Sequence, residues 1–179
     1  MRKNQKGFSL IELLIVVAII LIIAAIAIPN LLRSKMAANE ASAVGSLRTM
    51  TTASVSYNST YGNGFPPSLT VLGPPAPGAN ATCNLAGLID NILANAPNQK
   101  SGYTFTWVTG ATVQNPVPVG CAAGGFVDGF AVQAVPIAVG QTGQRSFCVD
   151  ASGVIRFDPT GVLIAAPAGI CNPAMSPLQ

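Results

Sequence analysis

Few groups in this sequence could do chemistry. The chain has six carboxylates, four cysteines and no histidine. The lack of histidine excludes Ser-His and Cys-His nucleophile pairs and histidine-bearing metal sites. Cys83, Cys121, Cys148 and Cys171 are widely separated. None has the C-x-x-C spacing of zinc or redox sites, so they read as two disulfides formed in an oxidising compartment. Three pairings are possible and the spacing does not choose among them. Asp150, Ser152 and Asp158 could help to bind calcium, but too few acids cluster there, and Asp-x-Ser-Gly equally describes a hairpin turn. No metal site is therefore assigned. No nucleophile–base pair or phosphate-binding loop is visible, so neither an enzyme nor a cofactor is expected. One acid remains without an obvious place. Glu12 stands at the start of a long apolar run.

That run must be placed first. From Leu13 to Leu32 no charged residue occurs, which is enough to cross a bilayer core of about 30 Å as a helix. Arg2, Lys3 and Lys6 precede it, and the positive-inside rule puts them in the cytoplasm and the rest of the chain across the membrane. These three residues account for the formal net charge of +3. From Phe8 onward basic and acidic residues balance, and no basic field is left to attract nucleic acid. Only 8% of residues are charged and the mean hydropathy is +0.50, low polarity for a free surface. Part of the chain belongs in lipid or in a subunit interface. The run fits a plain signal anchor. It also fits a secretory signal peptide cut at the A-x-A-like Ala25-Ile26-Ala27, leaving a protein that starts at Ile28.

A third reading accounts for Glu12. The stretch KGFSLIELLIVVAII resembles the N-terminus of bacterial type IV pilins and the related pseudopilins of type II secretion. Gly7-Phe8, the following Ser-Leu-Ile-Glu, the apolar run and Pro29 all fall in register with that family over about the first 30 residues. The resemblance implies a leader of residues 1–7, removed by a prepilin peptidase between Gly7 and Phe8, with N-methylation of Phe8. It implies that Phe8 and Glu12 act in assembly, the carboxylate meeting the new α-amine of its own chain or of a neighbour. A carboxylate well inside lipid costs about 2.5–3.5 kcal/mol, so a partner is expected. The alternative place for Glu12 is the headgroup level, where the helix N-terminus favours a negative charge. Pro29 removes the hydrogen bond to the Ala25 carbonyl, and a bend is expected there.

The resemblance also implies partners and a place. The chain would be a single-pass inner-membrane protein with a cytoplasmic N-terminus and a periplasmic head, held by lipid until an assembly platform and ATPase extract it. It would then enter a homopolymer or a mixed filament with other pilins, a surface pilus or a periplasmic pseudopilus. Major pseudopilins carry a C-terminal calcium site and an Asp-Pro-Trp-Gly stretch. Here the nearest match is Asp158-Pro159-Thr160-Gly161, without tryptophan. A membrane-anchored or secreted binding domain that does not polymerise is the reading outside this family.

The elements that carry these residues follow from periodicity. Beyond Pro29 a helical stripe of Ala37, Ala41, Val44, Leu47, Met50, Tyr57 and Tyr61, with Ala53 or Ser54 between, ends at Gly62-Asn63-Gly64. Residues 8–32 form the transmembrane and filament-core helix, and 33–179 the globular head. Within the head, 33–61 continue the helix and 62–97 form a loop with a possible turn at Ser68–Leu72. In the same segment Leu85, Leu88, Ile89, Ile92 and Leu93 predict a short amphipathic helix. Residues 103–158 are β in character. Tyr103–Thr109, Phe126–Ile137, Arg145–Asp150 and Val154–Asp158 predict four antiparallel strands, the last two a hairpin through Ala151-Ser152-Gly153. The alternating Tyr103, Phe105 and Trp107 read as core, with base stacking in DNA uptake as the alternative. The tail, 159–179, is expected to be pinned by Cys171. The fold class is α+β, a long N-terminal helix across one face of a roughly four-stranded antiparallel sheet.

Overall fold

The computed structural model describes residues 8–62, 64–113, 118–121, 126–162 and 165–178. The leader expected at 1–7, including Gly7, lies outside the described residues. The chain divides into two compact units between Lys35 and Met36.

A single helix, α1 (Leu10–Tyr61), belongs to both units. In the first unit no described residue is buried, and the large apolar side chains from Phe8 to Leu32 are 46–89% exposed. A stretch this apolar and bare in the isolated chain has to be covered by lipid or by protein. α1 continues through Pro29.

In the second unit α1 buries Glu40, Ala43, Ser46, Leu47, Met50, Ala53, Ser54 and Tyr57. The expected stripe is correct at Leu47, Met50, Tyr57 and both Ala53 and Ser54, but Ala37 and Ala41 are exposed, and Val44 and Tyr61 only half-buried. The inner face is displaced toward Glu40, Ala43 and Ser46. Hydropathy could not show this, because a carboxylate rather than a hydrocarbon anchors that end of the face.

Among the described residues six antiparallel strands pair in chain order: β1 (Gln99–Lys100), β2 (Tyr103–Thr109), β3 (Phe130–Pro136), β4 (Ser146–Asp150), β5 (Ile155–Asp158) and β6 (Ser176–Pro177). The four expected strands are present, and the two extra ones are two-residue strips on the edges. The second expected strand begins at Phe130 rather than Phe126, because Val127 instead bridges Phe65 and Thr112. Register follows the strand period of two. Phe130, Val132 and Ala134 of β3, with Phe147 and Val149 of β4, join Leu47, Met50 and Tyr57 in the main core. The intervening Ala131 and Cys148 face the other way and pack with Ala166, Cys171 and Met175 of the tail. The sheet is thus covered by α1 on one face and by the tail on the other.

The amphipathic helix expected at Leu85–Leu93 is a correction. Only α3 (Asn91–Ala94) is helical there. Residues 86–89 are not helical and bond along α2 (Leu69–Leu72) and its C-cap: the N–H groups of Ala86, Gly87 and Leu88 donate to the carbonyls of Val71, Gly73 and Leu72. Gly87 takes φ +67, which breaks a helix at its middle. Asp90 then starts α3 by accepting from the Leu93 N–H at 2.9 Å. Leu88 and Ile92 consequently remain exposed.

The disulfides are Cys83–Cys121 and Cys148–Cys171, with Cα separations of 5.6 and 5.9 Å. The first ties the loop after α2 to the loop before β3. The second fastens the tail to the middle of β4.

Candidate functional site

At the start of α1 the four first N–H groups of a helix need partners from outside it. Two local bonds supply some of them. The Ser9 N–H donates to Glu12 Oε2 at 3.0 Å, and the Ile11 N–H donates to Ser9 Oγ at 3.4 Å. Ser9-x-x-Glu12 is a capping box, a pattern legible in the sequence and missed there. Glu12 in this chain therefore faces the backbone just after Phe8, within a turn of where a free Phe8 amine would lie. Phe8 itself is 89% exposed.

The acids of the β4–β5 hairpin are bonded to their own loops and, for Asp150, to the tail as well. Asp150 Oδ1 accepts from the Ser152 N–H and hydroxyl at 2.9 and 2.5 Å, and Oδ2 accepts from the Cys171 N–H at 3.1 Å. Asp158 accepts from the hydroxyl and the N–H of Thr160, and these bonds hold its carboxyl below the ordinary carboxylate range. Among the described residues no three His, Cys, Asp or Glu side chains gather to hold a metal ion.

The aromatic alternation of β2 serves the core. Tyr103 and Phe105 are buried, and Trp107 is half-buried and lies flat on Phe130, ring centroids 4.9 Å apart and 2° from parallel. Neither Tyr103 nor Phe105 is free to stack on a base. Tyr103 donates its hydroxyl to the Arg145 carbonyl at 2.8 Å, and burial pushes its pKa up. Tyr57 donates to the Cys83 carbonyl at 2.7 Å and is pushed up to about 12 by burial, with a smaller push from Tyr61.

The most heavily bonded side chain of the head is Glu40, which sequence reasoning did not single out. Its Oε1 accepts from the N–H groups of Gln144 and Arg145 at 2.9 and 3.1 Å. Its Oε2 accepts from Nε and Nη2 of Arg145 at 2.9 and 2.7 Å. The guanidinium also lies over the rings of Phe147 and Phe157, 5.5 and 5.4 Å from their centroids. Burial raises the Glu40 carboxyl, but the two N–H groups and the Arg145 cation outweigh it and hold the group below its ordinary value. Asn39 adds a bond from its amide to the Thr142 carbonyl at 2.8 Å. This clamp fixes the loop before β4 onto α1. No sequence pattern pairs Glu40 with Arg145, which lie far apart along the chain.

The arrangement consists of an apolar helical segment without cover, an acid at its capped start, and a rigid, doubly disulfide-bonded body. Residues 2–28 match the family described as the prokaryotic N-terminal methylation motif. Over 38 residues the chain is 63% identical to the type IV wide pilus major component PilA4 of Thermus thermophilus, a match covering 21% of this chain and 29% of that protein. No solved structure matches the chain.

Proposed function

We propose that the chain, whose N-terminal segment carries the methylation motif and resembles that of a type IV pilus component, is a structural subunit of a type IV pilus or pilus-like filament. The observation that carries the reading is the methylation motif over residues 2–28, continued by an apolar helix with no cover in the single chain. A prepilin peptidase cuts between Gly7 and Phe8 and N-methylates Phe8. Until assembly the helix spans the inner membrane, with the N-terminus cytoplasmic and the head periplasmic.

Cleavage changes the partner of Glu12. In the uncut chain Phe8 contributes only a peptide N–H, and Glu12 caps the helix through Ser9. After the cut a cationic amine stands within a turn of the carboxylate, and an ion pair offsets much of the cost of an acid at membrane depth. In a filament the amine of a neighbouring subunit can take that place and set the register. Pro29 loosens the helix where it leaves the span, since its ring supplies no N–H. Moving an apolar helix from lipid to a helix bundle gains little hydrophobic free energy. Extraction accordingly depends on an ATPase acting through an inner-membrane platform.

The pseudopilus of type II secretion shares everything up to the head. The pilus reading is preferred because Asp158-Pro159-Thr160-Gly161 lacks the tryptophan of that stretch, and because Asp158 bonds its own turn while Asp150 bonds its turn and the Cys171 N–H. The relative with the matching N-terminus is itself described as a wide-pilus major component. The test is to shear filaments from cells and probe them for this chain. Surface filaments containing it support the pilus; a chain that stays in the envelope while secretion fails in its absence supports the pseudopilus.

A further inference from the structure

The charges of the folded body are paired internally with few exceptions. Glu40 is bonded to Arg145, and Asp90 to Lys100 at 2.7 Å. Arg156 donates to the Met175 carbonyl, Asp158 is held by its own loop, and Asp150 by its loop and the Cys171 N–H. Among the described residues the cations left without a partner are Arg33, Lys35 and Arg48, all on α1. The one acid left without a hydrogen bond or ion pair is Asp128. Arg33 and Lys35 directly follow the apolar run, within reach of lipid headgroup phosphates before assembly. Arg48 lies in the head unit and needs another counter-ion.

The surroundings of Arg48 suit an acid brought from outside. It lines a cleft with Glu40, Arg145, Ala41, Gly45 and Leu178. That cleft holds two guanidinium groups against one carboxylate, and the carboxylate is fully used by Arg145 and the Gln144 N–H. Gly45 and Ala41 on its wall are exposed and small, so a second backbone can come close. On its other side Arg48 lines a cleft with Val149, Gly153 and Ile155, against the β4–β5 turn.

Asp128 is built to be presented. Its backbone is fixed by the Asp128 N–H to the Ala111 carbonyl at 3.0 Å, and by the paired bonds between Val127 and Phe65 at 2.8 and 3.0 Å. Its carboxylate lies against Gly110, where any Cβ would collide with it. The side chain is exposed and borders the cavity that also contains Asp150, Ala151 and Ser152. Arg48 and Asp128 thus flank the same β4–β5 turn without touching each other.

We propose that Arg48 of one subunit pairs with Asp128 of a second copy of this chain, making a head-to-head contact that adds to the helix bundle of the filament. The two patches differ, so the contact is heterologous and propagates into an open polymer rather than closing a dimer. The inference rests on the filament reading above. Opposite charges at such a contact select the register, and like charges placed there oppose it.

The test is a charge exchange in cells, using the full chain with R48E, D128R and the double variant R48E/D128R. Sheared surface filaments are measured against membrane-held monomer. Both positions are exposed and outside the core, and unchanged protease resistance of the monomer confirms folding. Each single variant is expected to lose filaments by about tenfold or more, and the double variant to recover to within a few-fold of wild type. Wild-type filament levels in either single variant overturn the pairing. So does a double variant no better than the singles, including the case in which Arg48 matters but Asp128 does not because its partner is a lipid phosphate. If the unaltered protein forms no filaments, the filament reading fails first, and that is seen before any substitution is compared.

Discussion

Replacing Glu40 by alanine should unfold the head well below the wild-type midpoint while leaving the membrane helix intact. The Glu40 carboxylate accepts four hydrogen bonds at 2.7–3.1 Å. Its loss strands the part-buried N–H groups of Gln144 and Arg145, each at a cost of about 1–3 kcal/mol. The guanidinium counts for less, because the Arg145 side chain is 39% exposed and regains water. Because both N–H groups are only part-buried, the expected loss is about 2–4 kcal/mol, the lower part of their summed range, against roughly 3–5 kcal/mol for breaking a fully buried pair. The assay is denaturant unfolding of the full chain in detergent, followed by fluorescence of the single tryptophan, Trp107, which is stacked on Phe130. The double variant E40A/R145A should cost less than the sum of its singles, since each removes the same contact. The pH dependence has a defined sign. The Glu40 pKa is depressed from 4.5 on folding, so its contribution is present above that value and is lost as pH falls through the lower, folded value. An E40A variant should therefore lose less stability than wild type over that acid range. A loss under about 1 kcal/mol, or strictly additive singles, would refute the clamp as a determinant of head stability.

Three further outcomes follow from the geometry. Removing the second disulfide with C148S/C171S should cost about 2–4 kcal/mol and expose the tail to protease, because the tail covers Ala131 and Cys148 on the outer face of the sheet. Mass mapping after limited proteolysis checks it. G143A should destabilise the head by about 1–3 kcal/mol, since a Cβ there would lie 2.6 Å from Cζ of the buried Tyr103 ring. Denaturation of the variant measures this, and an unchanged midpoint contradicts it. E12A should abolish surface filaments while leaving monomer in the membrane. Normal filaments in that variant would remove the assembly role of Glu12.

Much of this architecture was legible in the sequence for physical reasons. The apolar run marks the bare part of α1, the glycines at 62 and 64 end the helix, and alternating aromatics and threonines mark β2. What escaped depended on contacts distant in sequence. The buried face of α1 was misplaced because Glu40, an acid, holds the position where hydropathy looks for an alanine. The segment 85–93 has helical spacing, but its backbone N–H groups found partners on α2 and Gly87 turned the chain. The edge strips Gln99–Lys100 and Ser176–Pro177 are too short to leave a pattern. The choice among three disulfide pairings came only from folding Cys171 back onto β4. The capping box at Ser9 and Glu12 is the local exception, a Ser-x-x-Glu pattern present in the sequence itself.

The central claim concerns what happens between Gly7 and Phe8, and it is tested most directly by intact-mass and N-terminal peptide analysis of the protein isolated from its own cells. A chain that begins at Phe8 and carries one added methyl group on its α-amine is the predicted result. A chain that retains Met1, or one that begins at Ile28, contradicts the account.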